Sequence, residues 1–193
     1  MFREDGSEPQ IKKLQDGFAY NEEDFLNLDG SRFDIHFLHG ALHLFEYDAI
    51  VKLNYSKTQD SLKNQFIKLI KDQKKMPLFV AEGSSHKKLV RIHSSGYLTR
   101  CLNSLQKIGS KKNPSAFFTY GVSFSPNDDH IVHALSRNKC HKFYIGIFGD
   151  PNNAKNKATI ARAQNIKTRR GAAKNSVPTD IFYYDVSSAK VWG

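Results

Sequence analysis

The stretch Ala116-Phe117-Phe118-Thr119-Tyr120-Gly121-Val122-Ser123-Phe124-Ser125-Pro126-Asn127-Asp128-Asp129-His130 decides the fold. Its aromatic and β-branched start predicts a strand over 116–122. Ser125 is a good helix N-cap, because its side-chain oxygen can take a free backbone N–H. Pro126 suits the first helical position, where no N–H needs a partner. A helix is therefore predicted over 127–138.

Downstream the unit repeats: strand 142–148, the turn Phe148-Gly149-Asp150-Pro151, helix 152–169 and strand 180–185. Upstream, strand 77–81 runs into Val80-Ala81-Glu82-Gly83-Ser84-Ser85 and then helices 85–93 and 97–108. A further amphipathic helix over 58–75 puts Leu62, Phe66, Leu69 and Ile70 on one face, with lysines largely elsewhere. Such alternation predicts an α/β domain, a mostly parallel sheet flanked by helices.

Three strands of this scheme end in glycine plus a helix cap. In a parallel sheet those turns share the carboxyl edge, where glycine lets a ligand approach the backbone and helix N-termini attract anions. Any active cleft is placed on that edge. Every α/β domain has caps and glycines there, so the turns locate a ligand better than they demonstrate one. Asp128 and Asp129 have two readings: complements to the positive end of their helix, or partners of ribose hydroxyls.

The first thirty residues lack sustained periodicity, and residues 1–32 are expected to be a poorly ordered lead-in to a domain over 33–193. Phe33 to His39 alternates like a strand, Gly40 interrupts, and 41–53 resumes, so a strand pair meeting at Gly40 is expected.

The formal charge of +10 divides into −7 over residues 1–50 and +17 over 51–193. The basic segment suits phosphates of a nucleotide or nucleic acid, an acidic partner, or simply a lysine-rich solvated exterior. Lys167, Arg169 and Arg170, in a basic stretch over 167–175 expected to be an exposed connection, are the obvious phosphate contributors. No run approaches the roughly 20 apolar residues of a membrane helix and no signal-peptide layout opens the chain, so a cytoplasmic location and no membrane partner are expected. Cys101 and Cys140 form no Cys-x-x-Cys pair and read as reduced, buried thiols.

Among eight histidines, His39 stands out, immediately before Gly40 at an expected strand end, where an imidazole can serve as a general base. His36, His39 and His43 alternate along that strand without a carboxylate at usable spacing, so no metal is expected. His130 and His133 are three apart, not the four of the zinc-protease helix, and read as ordinary helix residues. Gly121-Val122-Ser123-Phe124-Ser125 lacks the second glycine of a nucleophile elbow. No aspartate followed by Glu-x-Lys suggests a nuclease.

The order of Phe37-Leu38-His39-Gly40, Leu78-Phe79-Val80-Ala81-Glu82-Gly83, Gly121-Val122-Ser123 before Asn127-Asp128-Asp129, and Gly149-Asp150-Pro151 resembles the sirtuin-like superfamily. The strings FLHGALHLF, LFVAEG, GVSFSPNDDHI and YYDVSSAKVWG look closest to a bacterial family of unknown function within it. The resemblance spans about 33–193. It implies a three-layer Rossmann-like nucleotide-binding fold and NAD as the cofactor, with His39 as base in cleaving the nicotinamide–ribose bond. It also implies that Gly40, Glu82 and Gly83 line the site, that Gly121, Ser123 and Asp128 approach ribose or phosphate, and that Gly149 and Asp150 lie near the adenosine end.

Two departures temper this. The glycine-rich phosphate loop and Asn-Tyr-Asp motif that precede the His-Gly pair in sirtuin-like domains have no counterpart here, and Asn54-Tyr55-Ser56 follows His39. The fold is thus expected to be incomplete at its N-terminus, its exposed apolar surface covered by a missing half or a homo-oligomer, and its catalysis weak in isolation. The four-cysteine zinc module is absent too, which favours nucleotide hydrolysis or binding over an acyl-lysine substrate. The competing expectation is a non-catalytic interaction or nucleic-acid-binding module using the basic segment.

Overall fold

The computed structural model describes residues 14–19, 25–54, 60–81, 83–173 and 176–190. The chain forms two compact units, residues 1–79 and 80–193.

In the first unit, strands β1 (Asp16–Phe18), β2 (Phe25–Phe33), β3 (Gly40–Glu46), β4 (Ile50–Leu53) and β5 (Pro77–Phe79) form one sheet of order β1-β2-β4-β3-β5. Every pairing is antiparallel. Helix α1 (Leu62–Lys71) starts at Ser61, whose hydroxyl accepts the Asn64 N–H. Its apolar stripe buries Leu69 in a core with Phe45, Val51 and Leu53, packed by Phe25, Phe66 and Ile70. Lys52 of β4 reaches Asp16 of β1 at 2.5 Å, both nearly buried.

Three expectations are corrected here. The lead-in expected over 1–32 contains β1 and most of β2, so a boundary at 32/33 would cut a strand. Leu26 and Leu28 do alternate with the exposed Asn27 and Asp29, but Gly30, at φ +73°, breaks the period where the β1–β2 register shifts. Second, 33–39 is not a strand: beyond Phe33 the chain turns, with Asp34 and Ile35 N–H donating to the Gln15 carbonyl and Gly40 N–H to that of Phe37. Third, β5 runs antiparallel to β3, so its turn does not lie on the carboxyl edge of a parallel sheet.

The second unit contains α2 (Ser85–His93), α3 (Gly96–Lys107), β6 (Ala116–Thr119), α4 (Asp129–Arg137), β7 (Lys142–Ile147), α5 (Ala154–Ala172) and β8 (Asp180–Asp185). Strands β6, β7 and β8 pair in parallel with β7 central. The fold class is α/β, but among the described residues the parallel sheet comprises only these three strands. Phe143 and Ile145 of β7 are buried on the face that takes α5, whose Arg170 guanidinium lies 5.5 Å from the Phe143 ring. On the opposite face Phe118, Tyr144 and Phe182 stack in a row across the strands, centroids 4.6 and 5.0 Å apart.

Arg170 is 1% exposed, not a solvent-facing cation of a basic loop. Its guanidinium donates to Asn138 Oδ1 at 2.7 Å and to the carbonyls of Cys140 and Val177, joining α5 to the segments that enter β7 and β8. Burial lowers its pKa. The expected loop over 167–175 is helical to Ala172, so this basic cluster lies largely on α5. Cys101 and Cys140 are buried free thiols as expected. Among the described residues no helix is long and apolar enough to cross a membrane.

Candidate functional site

Two glycine turns on the carboxyl edge of the parallel sheet border a cleft of about 420 Å³. From the end of β6 come Gly121, Val122 and Ser123; from β7 and its turn, Gly146 and Phe148; from the start of α5, Asn153, Lys155, Asn156 and Thr159; and from beyond β8, Val186. The volume lies within the roughly 300–1,000 Å³ of small-molecule sites.

Each wall has a local cause. Gly121 adopts φ +68° with open space where a Cβ would stand, so the turn presents bare backbone to the cleft. Gly146 has a different reason: an added Cβ would meet Val186 Cγ2 at 2.7 Å and the Thr119 carbonyl at 2.8 Å. Asn156 is buried, and its amide donates to the carbonyls of Phe148 and Asp150 at 2.9 and 2.8 Å, fixing the β7–α5 turn. Thr159 donates to the Ser123 carbonyl at 3.0 Å and ties the β6 turn to α5.

Asp150-Pro151 has the same cap-plus-proline form as Ser125-Pro126 and would cap a helix from 152, but the cap of α5 is Asn153, whose Oδ1 accepts the Asn156 N–H at 2.8 Å. The Asn153 N–H donates to the Asp150 carbonyl, and the Asp150 carboxylate takes the Asn152 N–H, so Asp150 shapes a turn that delays the helix by two residues, from 152 to 154. No acid occupies the first turn of α5, and Lys155 is exposed there. A helix start without its own carboxylate, a cation and a bare glycine turn together suit an anion. None of the ten lining residues is acidic.

Of the residues singled out in the sequence, Gly121 and Ser123 line this cleft. Gly149, at φ +72° with open space around it, and Asp150 belong to the turn beside it. Asp128 closes a single 3-10 turn, Pro126–Asp128, where it takes the Ser125 hydroxyl at 3.0 Å and the Lys88 ammonium at 2.8 Å. Asp129, in the first turn of α4, pairs with Arg162 at 2.8 Å. Gly83 precedes α2 at φ +131°, and Glu82 lies outside the described residues.

His39 and Gly40 belong to the first unit. His39 is half-buried in the turn before β3 instead of ending a strand. Gly40 opens β3 at φ +71°, where a Cβ would fall 1.9 Å from the Leu78 carbonyl, so strand packing alone requires glycine. Nearby, His36 stacks on Phe33, and His43 sits edge-on to Phe37 with its pKa lowered by burial and by Lys52.

Asn153, Lys155, Asn156 and Thr159 escaped sequence reasoning. The available signal was the Asn153-x-x-Asn156 spacing, a side chain three residues ahead of the N–H it caps, masked by the more conspicuous Asp150-Pro151.

Residues 6–192 match the model of a family described as a domain of unknown function, DUF4917. No curated protein and no solved structure matches the chain. The chain belongs to the DUF4917 family.

Proposed function

We propose that this DUF4917 member is a nucleotide-binding α/β protein that holds phosphate in the cleft between the Gly121–Ser123 turn and the start of α5. What carries the reading is the lining itself: a glycine turn, a helix start free of acid, one lysine and no carboxylate. Backbone N–H groups at a helix start are organised donors for phosphate oxygens, and Lys155 adds net charge. Phe148, 76% exposed at the cleft, offers an apolar surface to the rest of the ligand.

The ligand proposed is NAD, with His39 as the base that assists nicotinamide–ribose cleavage. That assignment rests on the sirtuin-like resemblance of the Phe37–Gly40 and Gly121–Ser123 motifs. Calorimetric titration with NAD and ADP-ribose tests binding. The expected result is saturable binding that Lys155→Ala weakens about tenfold, the scale of one charge-assisted hydrogen bond. Nicotinamide release tests the chemistry: His39→Ala abolishes it with NAD binding retained, and unchanged turnover removes His39 from the mechanism.

A nucleic-acid role for the basic segment is the weaker reading. Arg170 is buried, Lys167 faces Asp180 at 3.5 Å, and Arg169 bonds Asn165 and approaches Asp129. Steeply salt-dependent DNA binding, absent any nucleotide binding, would reinstate it.

A further inference from the structure

A second cleft, of about 650 Å³, opens between α2, α3 and α4 of the second unit. It contains a serine and a histidine in direct contact. Ser85 Oγ lies 3.1 Å from His130 Nδ1 and also accepts the backbone N–H of His130 at 2.8 Å. With that N–H on one lone pair, the hydroxyl proton points at Nδ1 in the tautomer that carries its ring proton on Nε2, the form a general base requires, and the second lone pair is then available. A carboxylate oxygen of Asp128 lies within 4.8 Å of a ring nitrogen of His130.

We propose that this cleft is an acyl-transfer site in which Ser85 is the nucleophile and His130 its general base, acting on carboxylic esters that carry an anionic group. Ser85 is half-buried and lines the cleft, while His130 is 5% exposed and held by its neighbours. The N-cap Ser84 takes the Lys87 N–H with its hydroxyl and the Lys88 N–H with its carbonyl. The helix makes no use of the His86 N–H, one residue after the nucleophile, which is a position suited to an oxyanion donor. Leu89 and Leu102 supply apolar wall, and Arg137 lies two turns along α4 from His130, roughly 10 Å at 1.5 Å per residue. The anionic group of the ester is placed against Arg137.

The step balances without a further co-reactant than water. The Ser85 proton passes to Nδ1 as Oγ bonds to the acyl carbon. The acyl–oxygen bond to the alcohol breaks, and the alcohol leaves with that proton. Water then adds with His130 again as base, releasing the acid and restoring Ser85.

The test is labelling of the full chain with a fluorophosphonate, which phosphonylates an activated serine with loss of fluoride, followed by peptide mapping. The expected result is an adduct on Ser85 forming at least about tenfold faster than on Ser94 or Ser110, and lost in His130→Gln. In parallel, the p-nitrophenyl monoester of succinate is expected to be hydrolysed faster than the acetate ester, and neither by Ser85→Ala. Equal labelling of Ser85, Ser94 and Ser110 overturns the proposal, as does an adduct that persists in a folded His130→Gln chain. The wild-type pattern decides alone if that variant fails to fold. This site is independent of the nucleotide reading, so NAD binding with an unlabelled Ser85 would contradict only the acyl-transfer proposal.

Discussion

The two helices that follow strands of the parallel sheet begin with opposite electrostatics. At α4 the preceding 3-10 turn and the first helical turn carry Asp128 and Asp129, paired with Lys88 and Arg162. At α5 the first turn has no acid, an exposed lysine and an open cleft before it. A helix start that already holds its own carboxylates has little attraction left for an external anion, whereas one without them retains it. The proposed phosphate site at α5 follows from that contrast, while Asp128 and Asp129 have Lys88 and Arg162 as partners, in keeping with the helix-complement reading of those residues.

The most damaging way to erase the difference is to give α5 the first-turn acid of α4. Lys155→Asp is expected to weaken nucleotide binding by about a hundredfold, through loss of the cation and repulsion of phosphate, while leaving stability unchanged or raised by a few tenths of a kcal/mol. Calorimetric titration beside thermal melting measures both. Opposite signs in the two readouts separate a charge effect from a folding defect.

Removing the cap of α5 is the next largest change. Asn153→Ala loses the bond to the Asn156 N–H and should cost about 1 kcal/mol of stability in denaturant melts. It should also weaken binding several-fold, because the first turn frays. Asp129→Asn sharpens the comparison from the other side: its ion pair is part-exposed, so the expected loss is at most about 1 kcal/mol, and nucleotide affinity is unchanged. An affinity loss as large as that of Lys155→Asp would transfer the anion site to α4.

The smallest effect separates the two units instead of the two helices. Burial lowers the pKa of His43 in the folded first unit, so the unfolded chain binds the extra proton as pH falls. Stability is therefore greatest above the unfolded value, about 6.5, and declines as pH drops below it. In denaturant midpoints between pH 7 and 5, His43→Leu should flatten part of that decline. The cleft beside the Gly121 turn has neither histidine nor carboxylate in its lining, so its ligand affinity should not follow the same curve.

The second unit was largely legible in its sequence. The strands expected over 142–148 and 180–185 and the helices over 85–93 and 97–108 lie within a residue of β7, β8, α2 and α3, because local preference and tertiary demand agree there. The first unit was not, because its order depends on distant pairings. Nothing in Pro77-Leu78-Phe79 says that its partner is β3, and the requirement for glycine at position 40 comes from the Leu78 carbonyl, 38 residues away. The site divided likewise. Gly121 and Ser123 were legible as a glycine turn at a strand end, although Ser125, read as a cap, donates its hydroxyl to Asp128 and caps no N–H, whereas Lys155 depended on where α5 begins, two residues past the expected start at 152.

Titration of the wild-type chain and of Lys155→Asp with ADP-ribose tests the central claim most directly. Saturable, one-site binding is expected of the wild type, and about a hundredfold weaker binding of the variant, without loss of thermal stability. Equal affinities in the two chains, or no heat with either, would contradict it.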